Sequence, residues 1–313
     1  MHTVVRRLLA AVPLVLVVVS ATFFLSLASN VDPAEIILGG NATQEQVDAL
    51  RTDLGLDRPA FEQYWSWLSG LFQGDLGQSL YTRAEVTDLF TGALPVTLSL
   101  AVGGLLIGVI LGVGMGVLAA TTAGSRTDRG IIMVSTAGQA APSFFVGMLV
   151  IYVFALQLGW FPATGYTSLA ESPGGWLRSL VLPSFALGLG VAAALSRQAR
   201  SSMVIALQRD YTRTALSKGL SRRRVVLKHA ARNAASPVVT SVSFQVAQLL
   251  GGAIVIERLF ALPGLGSLTI DAVLRYDPYI IQAVVLFAVV VVVVVNLLVD
   301  LSYTWLNPKV RTA

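Results

Sequence analysis

The side chains that could carry out chemistry in this 313-residue sequence are few. Cysteine is absent, and the two histidines, His2 and His229, lie too far apart in sequence to indicate a shared metal site. No lysine follows a glycine, so the Gly-Lys-Ser/Thr core of a phosphate-binding loop is missing. The Gly-x-Ser-x-Gly and His-Glu-x-x-His motifs are missing too. The sequence therefore predicts no catalytic residue, no metal ligand and no nucleotide site in this chain.

The densest group of polar side chains is a basic segment at residues 209–233. Its first part favours a short helix that Gly219 ends, because glycine is the favoured residue just past a helix. Ser221 is then placed to cap a second helix. That helix would have an apolar side, formed by Val225, Val226, Leu227 and Ala230.

A helix, a glycine turn and a second helix would form a compact projection. The small pair Thr214-Ala215 would allow a partner to approach closely, and the flanking arginines could pair with acidic groups or anionic lipid headgroups. The alternative is that these charges only orient the chain in a membrane.

The elements that position this segment are predicted to be membrane helices. Hydrophobic residues make up 55% of the chain and charged residues 12%, against about 25% charged in soluble proteins. The mean hydropathy is +0.72. The net charge of +5 comes from basic residues placed between apolar runs, which favours a membrane and not nucleic acid as the partner. Six apolar runs have about the length that a span requires, at residues 8–28, 94–120, 131–159, 177–195, 238–256 and 279–301.

The basic residues also predict an orientation. With six alternating spans, most Lys and Arg residues share the side of the N-terminus, which by the positive-inside rule is the cytoplasm. Both termini and a long loop at residues 196–237 would then be cytoplasmic. Residues 1–29 would hold the N-terminus and the first helix, residues 30–93 an extracytoplasmic segment, and residues 94–313 the remaining helices. An alternative interpretation makes the first apolar run a cleaved signal peptide ending near Ser26-Leu27-Ala28.

The extracytoplasmic segment contains turn residues and two amphipathic helix candidates, at residues 43–54 and 60–72. Thr43 and Gln46 have the spacing of a capping box. Charges within the spans are rare: Glu257 and Asp300 lie near helix ends, where each is expected to reach water or headgroups. Energy coupling by ions is therefore poorly supported.

The basic segment resembles the cytoplasmic EAA loop of ABC-importer permeases. Aligned on Gly219, Arg213, Thr214 and Ala215 take the Glu-Ala-Ala positions, whereas His229 and Arg232 stand where a hydrophobic residue and a proline are usual. The pattern is similar to that of the first permease of dipeptide, oligopeptide and nickel importers. The resemblance implies a coupling role for Asp210, Tyr211, Arg213, Thr214, Ala215, Lys218, Gly219, Leu220, Ser221, Arg224, His229 and Asn233.

The resemblance continues along the chain and ends in Asn307-Pro308-Lys309-Val310-Arg311. It places two further segments at the gate or pathway, namely Pro142, Ser143 and Phe144, and Pro263, Gly264 and Gly266. Pro142 is also expected to kink an apolar helix. The glycines of the second span, Gly103 to Gly116, favour close helix packing.

The resemblance implies an all-α, six-span bundle of the type I ABC importer permease kind in a prokaryotic cell membrane. Such a chain would form half of a translocation pathway, with di- or oligopeptides as the expected substrates. It would hold no cofactor itself, because ATP and Mg would bind to two ATPase subunits. The other implied partners are a second permease, an extracytoplasmic binding protein and membrane lipid. An ion-coupled carrier and a membrane scaffold are the alternatives.

Overall fold

The computed structural model describes residues 2–28, 31–39 and 41–306, with side chains from residue 9 to residue 302. The side chains of the basic start, Arg6 and Arg7, and the family-like tail at residues 307–311 therefore lie outside the described part. Within that part the chain is helical apart from turns and one isolated antiparallel pair, Gln78 with Glu85.

The helices follow the apolar pattern of the sequence. They are α1 (His2–Leu27), α2 (Pro33–Leu38), α3 (Gln44–Asp53), α4 (Ala60–Phe72), α5 (Val86–Thr121), α6 (Arg126–Ala140), α7 (Ser143–Val150), α8 (Pro173–Gln208), α9 (Asp210–Ser217), α10 (Arg222–Arg224), α11 (Ala231–Leu259), α12 (Leu265–Leu274) and α13 (Pro278–Leu306). π-Helical turns follow α7 (Ile151–Gln157) and join α10 to α11 (Val225–Ala230).

Five helices of the described residues are long and apolar enough to cross a membrane. The bent pair made by α6 and by α7 with the π-helical turn after it counts as a sixth if it forms one span. The third predicted span, residues 131–159, is thus two helices whose directions differ by 103°. The break falls at Ala141-Pro142, because the proline lacks an amide hydrogen and disfavours helix in the residue before it. The expected kink is a complete interruption.

The predicted cytoplasmic loop at residues 196–237 is not a loop in the structure. α8 continues to Gln208, and a continuous helix starts again at Arg222 and runs to Leu259. The apolar runs at residues 177–195 and 238–256 underestimate the lengths of the two helices, because polar and charged residues extend each helix beyond its hydrophobic part. Only the stretch around α9 connects these two long helices and forms the predicted projection.

The chain divides into two compact units. One contains Met1–Thr97 and Pro263–Val293. In it, Trp67 and Leu68 of α4 are buried against Val19 and Phe23 of α1. A second cluster joins Val86 at the start of α5 to α12 and to Ile280 and Ala283 of α13. The predicted capping box at Thr43 and Gln46 is confirmed at the start of α3.

Buried polar contacts in the same unit tie α5 and the segment before it to the segment around α12 and α13. The Ser79 hydroxyl donates to Oδ2 of Asp277 at 2.6 Å, and both residues are buried. The backbone N–H of Leu265 donates to Oγ1 of Thr97 at 2.8 Å. Side chains far apart in sequence thereby hold the start of α12 and the start of α13.

The other unit contains Leu98–Leu262 and Val294–Ala313, and α8 is its central helix. Glycines of α5 let the two backbones approach closely. A Cβ on Gly108 would lie 2.5 Å from Val191, and one on Gly116 would lie 2.5 Å from the carbonyl oxygen of Ser196. The prediction that the glycines of this helix serve close packing is confirmed except at Gly114, which is exposed and whose added Cβ would meet no atom within 4 Å.

Candidate coupling site

One residue of extended backbone separates α9 from α8, and one buried hydrogen bond holds α9 against the end of α8. Arg209 is extended, so the chain changes direction between the helices. Thr212, which is 2% exposed, donates from Oγ1 to the carbonyl oxygen of Ala206 at 2.9 Å. Ala215 is buried on the same side. These contacts give α9 a fixed inner face.

The outer face of α9 carries exposed side chains of different chemistry. Tyr211 is 39% exposed and Leu216 is 46% exposed, and Arg213, Thr214 and Lys218 are exposed as well. The face combines an aromatic ring, an aliphatic side chain and positive charge. Such a combination suits a partner groove that has apolar walls and acidic groups.

The expectation that Thr214 and Ala215 together face a partner is wrong for Ala215. Ala215 is only 8% exposed, because it lies one turn after Thr212 on the face that contacts α8. Its small size serves the packing of α9, while Thr214 remains exposed and donates to the carbonyl oxygen of Asp210 at 3.0 Å. The partner-facing side of the helix is therefore narrower than the sequence indicated.

Gly219 ends α9 as predicted. Its φ of +79° lies in the left-handed region that glycine adopts readily. The N–H of Gly219 donates to Leu216 at 2.9 Å and that of Leu220 donates to Ala215 at 3.3 Å, which satisfies two of the last helix carbonyls. A Cβ at Gly219 would meet no atom within 4 Å. The requirement for glycine is therefore one of backbone conformation and not of space.

Ser221 caps the next helix, also as predicted. Its hydroxyl accepts from the N–H of Arg224 at 3.4 Å. Val225, Val226 and Ala230 are buried on the inner side. Leu227, which the sequence had assigned to the same apolar side, is 58% exposed. Three consecutive residues cannot share one face of a helix, because successive side chains are about 100° apart around the helix axis.

The projection is anchored on three long helices. Val226 and Ala230 belong to one buried cluster, whose other members are Ala120 of α5, Met203 and Ala206 of α8, and Ala234 of α11. In addition, Nη2 of Arg222 donates to the carbonyl oxygen of Thr121 at 3.0 Å. A force applied to α9 and the residues after it would therefore be transmitted to α5, α8 and α11.

The other predicted coupling residues lie around this core. Asp210 begins α9, Lys218 and Leu220 flank Gly219, and the side chain of Arg224 is exposed. Asn233 donates from Nδ2 to the carbonyl oxygen of His229 at 3.0 Å, one helical turn away. The structure brings all twelve residues into one helix–turn–helix segment.

A partly buried ion pair near this segment was not predicted. Arg200 of α8 donates from Nε to Oδ1 of Asp128 at 2.5 Å and from Nη2 to Oδ2 at 2.7 Å. Oδ2 also accepts from the N–H of Gly124 at 2.9 Å. The Ser125-x-x-Asp128 capping pattern marks the start of α6, but a partner 72 residues away leaves no local signal.

The gate candidates fall at helix starts. Pro142 is exposed and precedes α7, which begins at Ser143, and Phe144 is 46% exposed. Pro263 is exposed and Gly264 precedes α12, in which Gly266 is buried. The gate role of both segments stays a prediction.

The prediction that Glu257 reaches water or headgroups is wrong. Glu257 is 0% exposed, although it lies near the end of α11. The chain folds back directly after the helix, where the N–H of Leu262 donates to the carbonyl oxygen of Glu257 at 2.8 Å. A position near a helix end therefore does not by itself predict an exposed side chain.

Comparisons with known proteins agree with this architecture. Residues 112–312 match the family described as "Binding-protein-dependent transport system inner membrane component", and residues 1–101 match its N-terminal component. The MetNI methionine ABC transporter, solved in inward-facing conformations, has a similar fold, with a TM-score of 0.58 at 15% identity over 70% of this chain and 96% of that chain. The predicted type I importer fold is thereby confirmed.

Two relatives match over almost their whole length. A "Putative peptide transport system permease protein" of Brucella abortus (strain 2308) is 41% identical over 308 residues, 98% of each chain. The glutathione transport system permease protein GsiC of Escherichia coli (strain K12) is 38% identical over 311 residues, 99% of each chain. The chain therefore belongs to the family of binding-protein-dependent transport system inner membrane components, as a multi-pass permease subunit of an ABC importer.

Proposed function

We propose that this chain forms half of the translocation pathway of a peptide importer and receives the motion of an ATPase subunit through α9. The observation that carries the coupling role is the exposed outer face of α9 on a base anchored to α5, α8 and α11. The substrate class is supported by relatives whose names specify peptides or glutathione, which is a short peptide.

The partners follow from this role. A second, homologous permease completes the pathway, two ATPase subunits bind ATP and Mg and hydrolyse ATP, and an extracytoplasmic binding protein delivers the peptide. α9 and both termini face the cytoplasm, and the segment after α1 faces the opposite side, as the distribution of basic residues supports. Switching between inward- and outward-facing states moves the substrate without altering it chemically.

Affinity purification of the chain from its native membrane tests the assembly. We expect a second permease and ATPase subunits to co-purify in mild detergent, and we expect peptide with its binding protein to stimulate ATP hydrolysis. A chain that repeatedly purifies alone would contradict the coupling role and favour an ion-coupled carrier. If ATPases co-purify but peptides never stimulate their ATP hydrolysis, only the proposed substrate class is contradicted.

Gly219→Val is expected to uncouple ATP hydrolysis from uptake. A side chain other than glycine costs about 1–2 kcal/mol in the left-handed conformation, and a β-branched residue costs more. Because about 1.4 kcal/mol is a tenfold change in an equilibrium, the docking conformation of the turn should become roughly tenfold rarer. The measurement is uptake per ATP hydrolysed in proteoliposomes that contain the assembled importer.

Gly74→Val is the matched control for this prediction. Gly74 also has a positive φ, +82°, and its added Cβ would also meet no atom within 4 Å, but it lies in the turn after α4 and outside the coupling segment. We expect comparable strain with a normal ratio of uptake to hydrolysis. Equal ratios in the two variants would show that the turn at Gly219 does not serve coupling.

A further inference from the structure

α4 is a 13-residue helix with three chemically different faces. One face is packed on α1, one is polar and lines a cavity, and one carries exposed aromatic rings. A helix with an apolar body and a separate polar face is typical of segments that lie in a membrane interface. The contacts of the packed face and of the polar face determine which surroundings remain for the aromatic face.

The packed face contacts the C-terminal half of α1 through aromatic rings and one hydrogen bond. The ring of Tyr64 lies 5.3 Å from that of Phe23 and 5.3 Å from that of Phe24, and Trp67 stacks on Phe23 at 5.7 Å. The hydroxyl groups of Tyr64 and Ser20 lie 2.7 Å apart. α4 is thus fixed alongside α1 and not only connected to it through the chain.

The contacted part of α1 lies at membrane depth. The apolar span of α1 runs over Leu9–Leu27, 19 residues, which at 1.5 Å per residue is about 28 Å and matches a hydrocarbon core of about 30 Å. By the same rise, Phe23 is about 6 Å and Ser20 about 10 Å from the end at Leu27. Side chains of α4 that contact these residues must therefore enter the same depth.

The polar face of α4 is accounted for by a cavity in the same unit. Gln63, Ser66 and Gly70 line a space of about 380 Å³ together with charged side chains, among them Arg58 and Asp75. The amide of Gln63 donates to the carbonyl oxygen of Arg58 at 2.8 Å. Water or polar solute can therefore reach α4 from this side.

The remaining face carries Phe61, Trp65 and Phe72, spaced four and seven residues apart, so they share one stripe of the helix. They are 69%, 60% and 78% exposed, and the rings of Phe61 and Trp65 stack at 6.4 Å. Exposed apolar side chains of α1 lie near the stripe, since Phe24, which stacks on Tyr64, is itself 45% exposed and Leu25 is 72% exposed.

We propose that α4 is embedded in the leaflet that surrounds the C-terminal half of α1, with Phe61, Trp65 and Phe72 in contact with lipid. At about 20 Å in length the helix is too short to cross the membrane. It separates lipid on the aromatic side from the polar cavity on the other. Trp and Phe suit this boundary, because an aromatic ring tolerates the transition between acyl chains and headgroups. This inference depends on the membrane location of the chain and is independent of its substrate and of coupling.

Site-directed spin labelling tests the proposal directly, because the chain has no cysteine of its own. Single variants Trp65→Cys and Phe72→Cys would report on the stripe. Ser66→Cys and Gln73→Cys, at exposed positions outside it with the same spacing of seven residues, are the matched controls. Each is labelled in the assembled importer, with cysteines of the partner subunits replaced, in vesicles of phosphatidylethanolamine and phosphatidylglycerol. Collisions with oxygen report hydrocarbon, and collisions with a water-soluble nickel chelate report water.

We expect oxygen to dominate at the positions of Trp65 and Phe72 and the nickel chelate to dominate at those of Ser66 and Gln73. Nickel access at all four positions would place α4 in water and overturn the proposal. Labels at the stripe that neither reagent reaches would show a protein partner there, which would overturn it as well.

A second measurement covers variants that fail to assemble. In vesicles with brominated acyl chains, Trp65→Phe, which preserves an aromatic ring, is expected to lose part of the fluorescence quenching seen with the unmodified chain. Unchanged quenching would show that Trp65 does not contact lipid.

Discussion

Asp128→Ala is expected to be among the most destabilising single substitutions in the described part of the chain. The Asp128 side chain is 3% exposed and that of Arg200 is 30% exposed, so the pair lies largely out of water. Removing the carboxylate leaves the guanidinium of Arg200 without its two acceptors and the N–H of Gly124 without its partner. Breaking a fully buried pair in this way typically costs about 3–5 kcal/mol, and we expect the lower part of that range because the Arg200 side chain is partly exposed.

The structural consequence should extend to the candidate coupling site. Asp128 joins the turn after α5 to α6 and to α8, and α5 and α8 are two of the helices that anchor α9. We expect a lower midpoint of thermal unfolding for the purified assembly and a loss of uptake. Thermal unfolding followed by circular dichroism in mild detergent measures the first effect.

Arg129→Ala is the matched control for Asp128→Ala, because it removes an exposed charge from the adjacent position of α6. We expect a change within about 0.5 kcal/mol, as for most surface substitutions. The double variant Asp128→Leu with Arg200→Met should recover much of the stability, since no buried charge remains unpaired. If Asp128→Ala unfolds at the same temperature as Arg129→Ala, the ion pair does not stabilise the fold.

Gly116→Leu is expected to prevent α5 from packing on α8. A Cβ at this position would lie 2.5 Å from the carbonyl oxygen of Ser196, 2.6 Å from Cβ of Ala199 and 3.0 Å from the backbone nitrogen of Arg200. Because two of these atoms belong to the backbone, no change of rotamer relieves the clash and the helices must separate. Overpacking costs about 1–3 kcal/mol where a core can adjust, and we expect the upper part of that range or more.

Gly114→Leu provides a control two residues away on the same helix. Gly114 is exposed, and its added Cβ would meet no atom within 4 Å. Leucine favours helix over glycine and is as apolar as lipid tails, so we expect stability to be unchanged or slightly higher. The yield of monodisperse assembly after detergent extraction distinguishes the variants. Similar yields for both would show that α5 does not approach α8 as closely as the structure has it.

The sequence by itself predicted the features that depend on neighbouring residues. Long apolar runs require helices in lipid, because the backbone must satisfy its hydrogen bonds internally there. Local backbone chemistry likewise predicted the capping box at Thr43, the turn at Gly219 and the cap at Ser221, all of which the structure contains. Family membership was predicted on the order of short motifs along the chain and is confirmed by the comparisons.

Only the tertiary structure decided which side chains face inward and which distant residues meet. Ala215 and Glu257 are buried although their positions in the sequence predicted exposure, and Leu227 is exposed although it is apolar. The contact of Asp128 with Arg200 and that of Tyr64 with Ser20 join positions 72 and 44 residues apart. Such contacts depend on how whole helices pack, and packing leaves no periodic trace in a chain whose helices are apolar on almost every side.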